Sequence, residues 1–366
     1  MKNRFERIRS TAPLIAALAA SVICMPCAQA DDLVDPRAVL REARQFLAPD
    51  AVKDDKFVPI GGIDQWISVR GRHRDAPFLL FLHGGPGFTS IPNSYLYTAE
   101  WQEYFNVVQW DQRGAGKTFG RNPGLQPASL SIERALKDAE EVAAYVRKTY
   151  GRQKIVLLGH SWGSILGVKL AQLHPDWFHA YVGIGQATDA RASETMGYQA
   201  TLAAALAAND TEAIKDLKEI APYPSQDPAA DLAHLGRERK WLARYGGAVW
   251  RNTEAAVDAA GMISPDYTAA DWTDRERGLD LNLAGLWGEI TKVNLFSVKR
   301  IDCPVILFEG RHDLNVNAQL AERWLRQLEA PVKKLVWFED SAHGVFDEEP
   351  GKTLVTLQAE VLPLAK

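Results

Sequence analysis

Short apolar runs, each ending in a Gly- or Asp-rich loop, recur in two separate parts of the chain. Ile63 to Arg70 alternates apolar and polar positions as a half-buried strand does. Phe78 to Leu82, Phe105 to Trp110, Lys154 to Leu158, Tyr181 to Ile184, Val305 to Phe308 and Lys334 to Phe338 are compact runs of the kind buried on both faces of a sheet. An amphipathic stretch from Ser131 to Tyr150 precedes the fourth of these seven, and a helix is expected to close the chain. Strands separated by helical segments predict parallel β-α-β units, hence an α/β architecture with helices on both sheet faces.

Between these parts, residues 186–298 carry a different pattern. Ala190 to Ala208 is Ala-rich and strongly helix-forming, Thr211 to Ile220 continues it, and another helix is expected over Ala229 to Tyr245. Pro222, Pro224 and Pro228 are expected to interrupt this region. The prediction is a core of residues 31–185 and 299–366 with a helical cap, 186–298, inserted over the sheet. Trp241, Trp250, Trp272 and Trp287 would either line an apolar pocket there or fill the core of the cap.

Residues 1–30 have the layout of a secretory signal peptide: Lys2, Arg4, Arg7 and Arg9, then an apolar run from Ala12 to Cys24, then Ala28-Gln29-Ala30. The run is shorter than the roughly 20 residues needed to span a bilayer. No paired arginines are present, which points to the general export route, a periplasmic or secreted product and no stable membrane span after cleavage. Removing this segment takes away four of the 42 basic residues and one of the 46 acidic ones, moving the formal net charge from −4 to −7. An acidic chain lacks the basic patch that nucleic acid requires. Only Cys303 remains after cleavage, so no disulfide can form within one chain.

The sharpest chemical motif is Gly159-His160-Ser161-Trp162-Gly163, directly after a predicted strand and opening a predicted helix. Gly-x-Ser-x-Gly in that context makes a tight, strained turn that projects the serine hydroxyl above the sheet. A serine hydroxyl needs a base to become a nucleophile. In the α/β-hydrolase fold, the acid and then the histidine follow the serine in sequence. His343 is the one histidine after residue 312 and follows the last predicted strand; Asp313 follows the strand before it. Ser161, Asp313 and His343 are therefore the predicted nucleophile, orienting acid and base, with Asp340 the alternative acid. His160 and His312 lie nearby but are wrongly placed for the base.

His83-Gly84-Gly85-Pro86-Gly87 follows another strand, and its glycines permit close backbone approach to a substrate. The amides of Gly85 and Trp162 are assigned to an oxyanion hole, each donor being worth about 2.7–4 kcal/mol in a transition state. His83 is expected to organise the loop. Asp111 to Thr118 ends in Gly-Lys-Thr like a phosphate-binding loop, but Asp111 stands where that motif needs glycine, which excludes nucleotide binding of this type. No metal-ligand spacing occurs, so neither metal nor cofactor is expected.

His83 to Gly87, Asp111 to Gly116, Gly159 to Ser164, Gly310 to Asp313 and Ala342 to Gly344 together resemble the prolyl aminopeptidase (proline iminopeptidase) branch of the α/β-hydrolases. The resemblance covers about residues 55–185 and 300–366. It implies a cap after the sixth strand, an acyl-enzyme intermediate, and release of an N-terminal residue, often proline, from a short peptide or other small substrate. It also implies cap carboxylates that hold the substrate ammonium, for which Glu194 and Glu289 are the candidates. A carboxylesterase or lactonase on the same three residues, and a non-catalytic ligand-binding protein of this fold, are the alternatives.

Overall fold

The computed structural model describes residues 34–46, 48–251 and 254–365. The leader expected over residues 1–30 lies outside them. Eight strands form one sheet: β1 (Val52–Ile60), β2 (Ile63–Gly71), β3 (Phe78–Leu82), β4 (Asn106–Trp110), β5 (Ile155–His160), β6 (Phe178–Ile184), β7 (Val305–Gly310) and β8 (Lys333–Phe338). Their order is β1-β2-β4-β3-β5-β6-β7-β8. β1 and β2 are antiparallel to their neighbours, and the other six strands run parallel. This is the mostly parallel α/β architecture that the alternation of strands and helices predicts, in the form of the α/β-hydrolase fold expected from the Gly-x-Ser-x-Gly turn and the family resemblance.

The strand side chains alternate between two cores. Phe78, Leu80 and Leu82 join Ile155 and Leu157 on one face, while Leu79 and Phe81 join Val156 and Leu158 on the other. The predicted helix after Ser131 spans Ile132–Thr149, and the Ser131 hydroxyl caps it by accepting from the Arg134 amide at 3.1 Å.

Two elements escape the hydrophobic pattern. β1 carries Lys53, Asp54, Asp55, Lys56 and Pro59, the charged and proline-bearing makeup of an edge strand facing water. The helix Ala269–Ile290 contains Gly278, Gly285 and Gly288, which lower its intrinsic propensity. Two of these glycines serve packing. A Cβ on Gly278 would stand 2.4 Å from the Gly114 carbonyl oxygen, and one on Gly285 would stand 2.7 Å from that of Pro127.

Among the described residues five α-helices, Ala190–Ala207, Thr211–Glu219, Pro228–Arg244, Glu254–Met262 and Ala269–Ile290, lie between β6 and β7. Pro228 does not interrupt them. It opens the third at the first helical position, where its missing N–H costs nothing, with Asp227 as the cap. Tyr198, Leu217, Ile220, Tyr223 and Trp241 form a small core of their own in this region. No helix among the described residues is long and apolar enough to cross a membrane.

Candidate active site

The turn after β5 places Ser161 at φ 54° and ψ −121°, a conformation side-chain-bearing residues rarely adopt. The flanking glycines are sterically required. A Cβ on Gly159 would meet the Gly163 carbonyl oxygen at 2.6 Å, and one on Gly163 would meet that of Leu82 at 2.1 Å. The Ser161 amide donates to the Ile184 carbonyl at 3.0 Å, tying the turn to β6. Trp162 is the first residue of the helix Trp162–Leu173, so its N–H belongs to the donors that a helix leaves unpaired within itself.

Asp313 and His343, from the loops after β7 and β8, meet with Oδ2 and Nδ1 2.7 Å apart. Asp313 is buried, and its other oxygen accepts from the Val316 amide at 2.8 Å. Asp340 is exposed and stands outside this contact. Gly185, just past β6, makes room for the imidazole: its φ is +51°, and a Cβ there would fall 2.9 Å from the His343 ring. Sequence reasoning missed this glycine, because only the imidazole across the fold explains it.

His160 and His83 are tied to the surrounding backbone. His160 Nε2 donates to the His343 carbonyl at 3.1 Å, and the two rings lie 4.7 Å apart. Burial holds its pKa well below the ordinary histidine value, and the neighbouring His343 pushes the same way. His83 donates from Nδ1 to the Gly84 carbonyl at 2.9 Å and accepts at Nε2 from the Gln112 amide at 3.2 Å, which defines a neutral tautomer. Burial brings its pKa down to about 4, assisted by the charge of Arg275 and opposed by the bond to Gly84. His312 stacks flat on Trp250 with ring centroids 3.5 Å apart.

The Asp111 to Thr118 segment is a brace. Gln112 donates from Nε2 to the His83 carbonyl at 3.0 Å and accepts from the Trp162 indole at 2.9 Å, joining the Gly-rich loop to the residue after Ser161. Arg113 grips buried Asp138 from Nε at 2.7 Å, and the Asp111 carboxylate accepts from Thr89, from Tyr267 and from the Lys117 amide. The loop that this brace holds approaches the nucleophile turn closely, since a Cβ on Gly84 would lie 3.1 Å from that of Ser161.

A cavity of about 90 Å³ opens beside the turn, with Gly85, Ser161, Trp162, Glu194, Arg239 and Trp287 in its wall. Of the four tryptophans considered from sequence, Trp287 faces this cavity while Trp241 fills the cap core. Glu194 is buried. One of its oxygens pairs with Arg239 and the other accepts from the Tyr223 hydroxyl at 2.8 Å. Arg239 also pairs with buried Glu238, so one guanidinium serves two carboxylates. Glu238 is held above the usual carboxylate range by burial and by Glu194, with Arg239 opposing. Glu289 lies elsewhere: it is exposed, accepts from the Ile132 amide at 2.9 Å and has no part in the cavity wall. Its carboxylate is drawn to the free amides at the start of the helix Ile132–Thr149. Among the described residues no group of three or more His, Cys, Asp or Glu side chains is placed to hold a metal ion.

Residues 79–357 match the model of the alpha/beta hydrolase family, and the chain belongs to that family. Within it, the similarity runs to aminopeptidases. The chain is 31% identical over 305 residues to a probable aminopeptidase, YbaC, of Bacillus subtilis, covering 82% of this chain and 94% of that one. It is 25% identical to the proline iminopeptidase of Neisseria gonorrhoeae over 323 residues, 84% of this chain and 96% of the relative. In fold it is similar to a proline iminopeptidase-related protein of Thermus thermophilus, with TM-score 0.61 and 16% identity over 86% of this chain and 98% of the other. A 2-hydroxy-6-oxo-6-phenylhexa-2,4-dienoate hydrolase from Rhodococcus shares the fold too, with TM-score 0.56 and 18% identity over 84% and 98% of the two chains.

Proposed function

We propose that this hydrolase is a serine aminopeptidase that releases single N-terminal residues, proline among them, from short peptides. The observation that carries the reading is the 2.7 Å contact of Asp313 with His343 beside the strained Ser161 turn, in a fold whose members hydrolyse by this arrangement. Ser161 Oγ attacks the carbonyl carbon of the first residue and its proton passes to His343 Nε2. The resulting oxyanion lies against the amides of Gly85 and Trp162. Collapse breaks the C–N bond, and His343 returns the proton to the departing amine. Water then attacks the acyl-enzyme by the same route, freeing the amino acid and Ser161. Asp313 keeps Nδ1 protonated, so that Nε2 faces the serine as an acceptor, and stabilises the imidazolium.

The substrate reading rests on the small cavity and on Glu194. With both carboxylates ionised, Glu194, Glu238 and Arg239 sum to one negative charge, the complement of an α-ammonium group. Arg239 already occupies one side of Glu194, and that observation favours a second reading, hydrolysis of an uncharged ester or lactone on the same three residues. Turnover of aminoacyl-naphthylamides, their N-acetylated forms and p-nitrophenyl esters separates the two. Amide turnover that disappears on N-acetylation is the expected result, with a serine-directed fluorophosphonate labelling Ser161 and not the Ser161→Ala protein. Ester turnover without amide turnover would sink the aminopeptidase reading, and absence of labelling would sink the serine mechanism.

A further inference from the structure

A second cavity, of about 360 Å³, lies on a different part of the molecule, between the helix Pro36–Ala43, strands β1 and β2, and the segment 265–268. Its wall contains six cationic side chains, Arg37, Arg41, Arg44, Lys53, Arg70 and Lys117, against two carboxylates, Asp55 and Asp266. That is an excess of four positive charges in one concavity of a chain whose formal net charge is −4.

The two carboxylates are fully engaged as scaffolding. Asp266 bridges Arg44 and Arg70 at 2.7 Å each, and Asp55 takes Arg70 at 2.7 Å and the Ser68 hydroxyl at 2.6 Å. This network fixes two guanidinium groups in the wall. Arg41 and Lys53 make no ion pair with any described residue, and Lys117 has one carboxylate, Asp271, at 3.8 Å. The Lys117 ammonium is instead held over the rings of Trp66, at 4.4 Å, and Tyr267, at 5.2 Å. Like charges gathered around a cavity repel one another and are stabilised by an anion placed among them. The guanidinium fork of Arg41, engaged by no described carboxylate, suits a planar or tetrahedral oxyanion, which it can bind through two parallel hydrogen bonds.

We propose that this cavity binds a small organic oxyanion carrying at least two negative charges, seated between the Arg44–Arg70 wall and the Arg41, Lys53 and Lys117 side chains. The cavity is several times larger than the one at Ser161, which leaves room for an anion larger than a single phosphate or sulfate. Its binding needs neither Ser161 nor His343.

Isothermal titration of the full chain with pyrophosphate and with citrate, at constant ionic strength set by chloride, tests this. Saturable one-to-one binding of at least one probe is expected, and the stronger of the two tells a phosphate-type ligand from a polycarboxylate. The Arg41→Gln/Lys53→Gln protein, altered at two exposed and unpaired cations, should bind about tenfold or more weakly, because each change removes a charge-assisted contact. Ser161→Ala should bind as the parent does, so the outcome is independent of the hydrolase mechanism. No saturable heat up to about 10 mM, about tenfold above a millimolar Kd, would overturn the proposal. Unchanged affinity in the double variant would also overturn it by placing the anion elsewhere.

Discussion

Replacing Glu194 by Gln tests the electrostatic logic of the cavity with almost no change of shape. The carboxylate uses one oxygen for Arg239 and the other for Tyr223, which leaves accepting capacity on both oxygens for a substrate donor. Glutamine can keep the Arg239 bond at its carbonyl oxygen and reverse the other, its amide donating to the Tyr223 oxygen, so the fold should survive. What changes is the charge. Arg239 and Glu238 then cancel, and an entering ammonium meets a neutral cluster in place of a negative one. A hydrogen bond to a charged group contributes about 1.5–3 kcal/mol. At 1.36 kcal/mol per factor of ten, kcat/KM for an aminoacyl-naphthylamide should fall by about 10- to 150-fold. An ester without an amino group should change by less than about threefold, since it makes no such bond. Thermal unfolding of both proteins checks that the loss is local. Equal losses on the amino-bearing and amino-free substrates would refute the reasoning, because Glu194 would then be supporting the cavity rather than reading charge.

Two further predictions concern the scaffold around Ser161. His83 is neutral in the fold with its pKa lowered from 6.5 to about 4, so its stabilising contribution is complete above pH 6.5 and is lost as the pH falls toward 4. The stability advantage of the parent over His83→Gln, read by urea unfolding, should therefore shrink by about 3 kcal/mol between pH 7 and pH 4, at 1.36 kcal/mol per pKa unit. A pH-independent difference would contradict the buried neutral tautomer. Asp111, pushed up to about 6, acts in the opposite sense by losing stability as pH rises from 3.8 to 6, but it is common to both proteins and cancels. Gly185→Ala should cost about 1 kcal/mol in stability from the left-handed backbone. It should also lower kcat by about tenfold or more by displacing the imidazole, a barrier change of only about 1.4 kcal/mol. Wild-type kcat in that variant would show that the imidazole tolerates the methyl group.

Much of the fold was legible because β3 to β7 are short apolar runs whose burial on both faces is written in their composition, and β8, an edge strand opening with Lys333 and Lys334, still carries the apolar run Leu335 to Phe338. β1 was not, since an edge strand with Lys53, Asp54, Asp55 and Lys56 obeys solubility rather than burial. The helix Ala269–Ile290 was obscured by glycines whose reason lies in other segments, at Gly114 and Pro127. The site divides in the same way. Ser161, Asp313 and His343 stand at strand ends in a fixed order, which local sequence can report. Gln112 as a brace between His83 and Trp162 depends on partners 29 and 50 residues away. Arg239 on Glu194 depends on a pairing across 45 residues between two cap helices, and no local pattern encodes it.

The segment after the helix Pro228–Arg244 is sewn to the far side of the site. The His343 amide donates to the Ala248 carbonyl at 3.1 Å and the Leu314 amide to that of Gly247 at 2.9 Å. Glu348 takes the Trp250 amide at 2.5 Å, the Arg251 amide at 2.8 Å and the Ala342 amide at 2.8 Å. For anyone grafting a new cap onto this chain to change its substrate, residues 246–251 count as part of the frame that holds the loops of Asp313 and His343. A splice that carries them away with the cap would unmoor the loops of Asp313 and His343, and on the proposed mechanism would alter turnover before any new specificity could be read. A splice that retains them confines the exchange to the walls around Glu194 and Trp287.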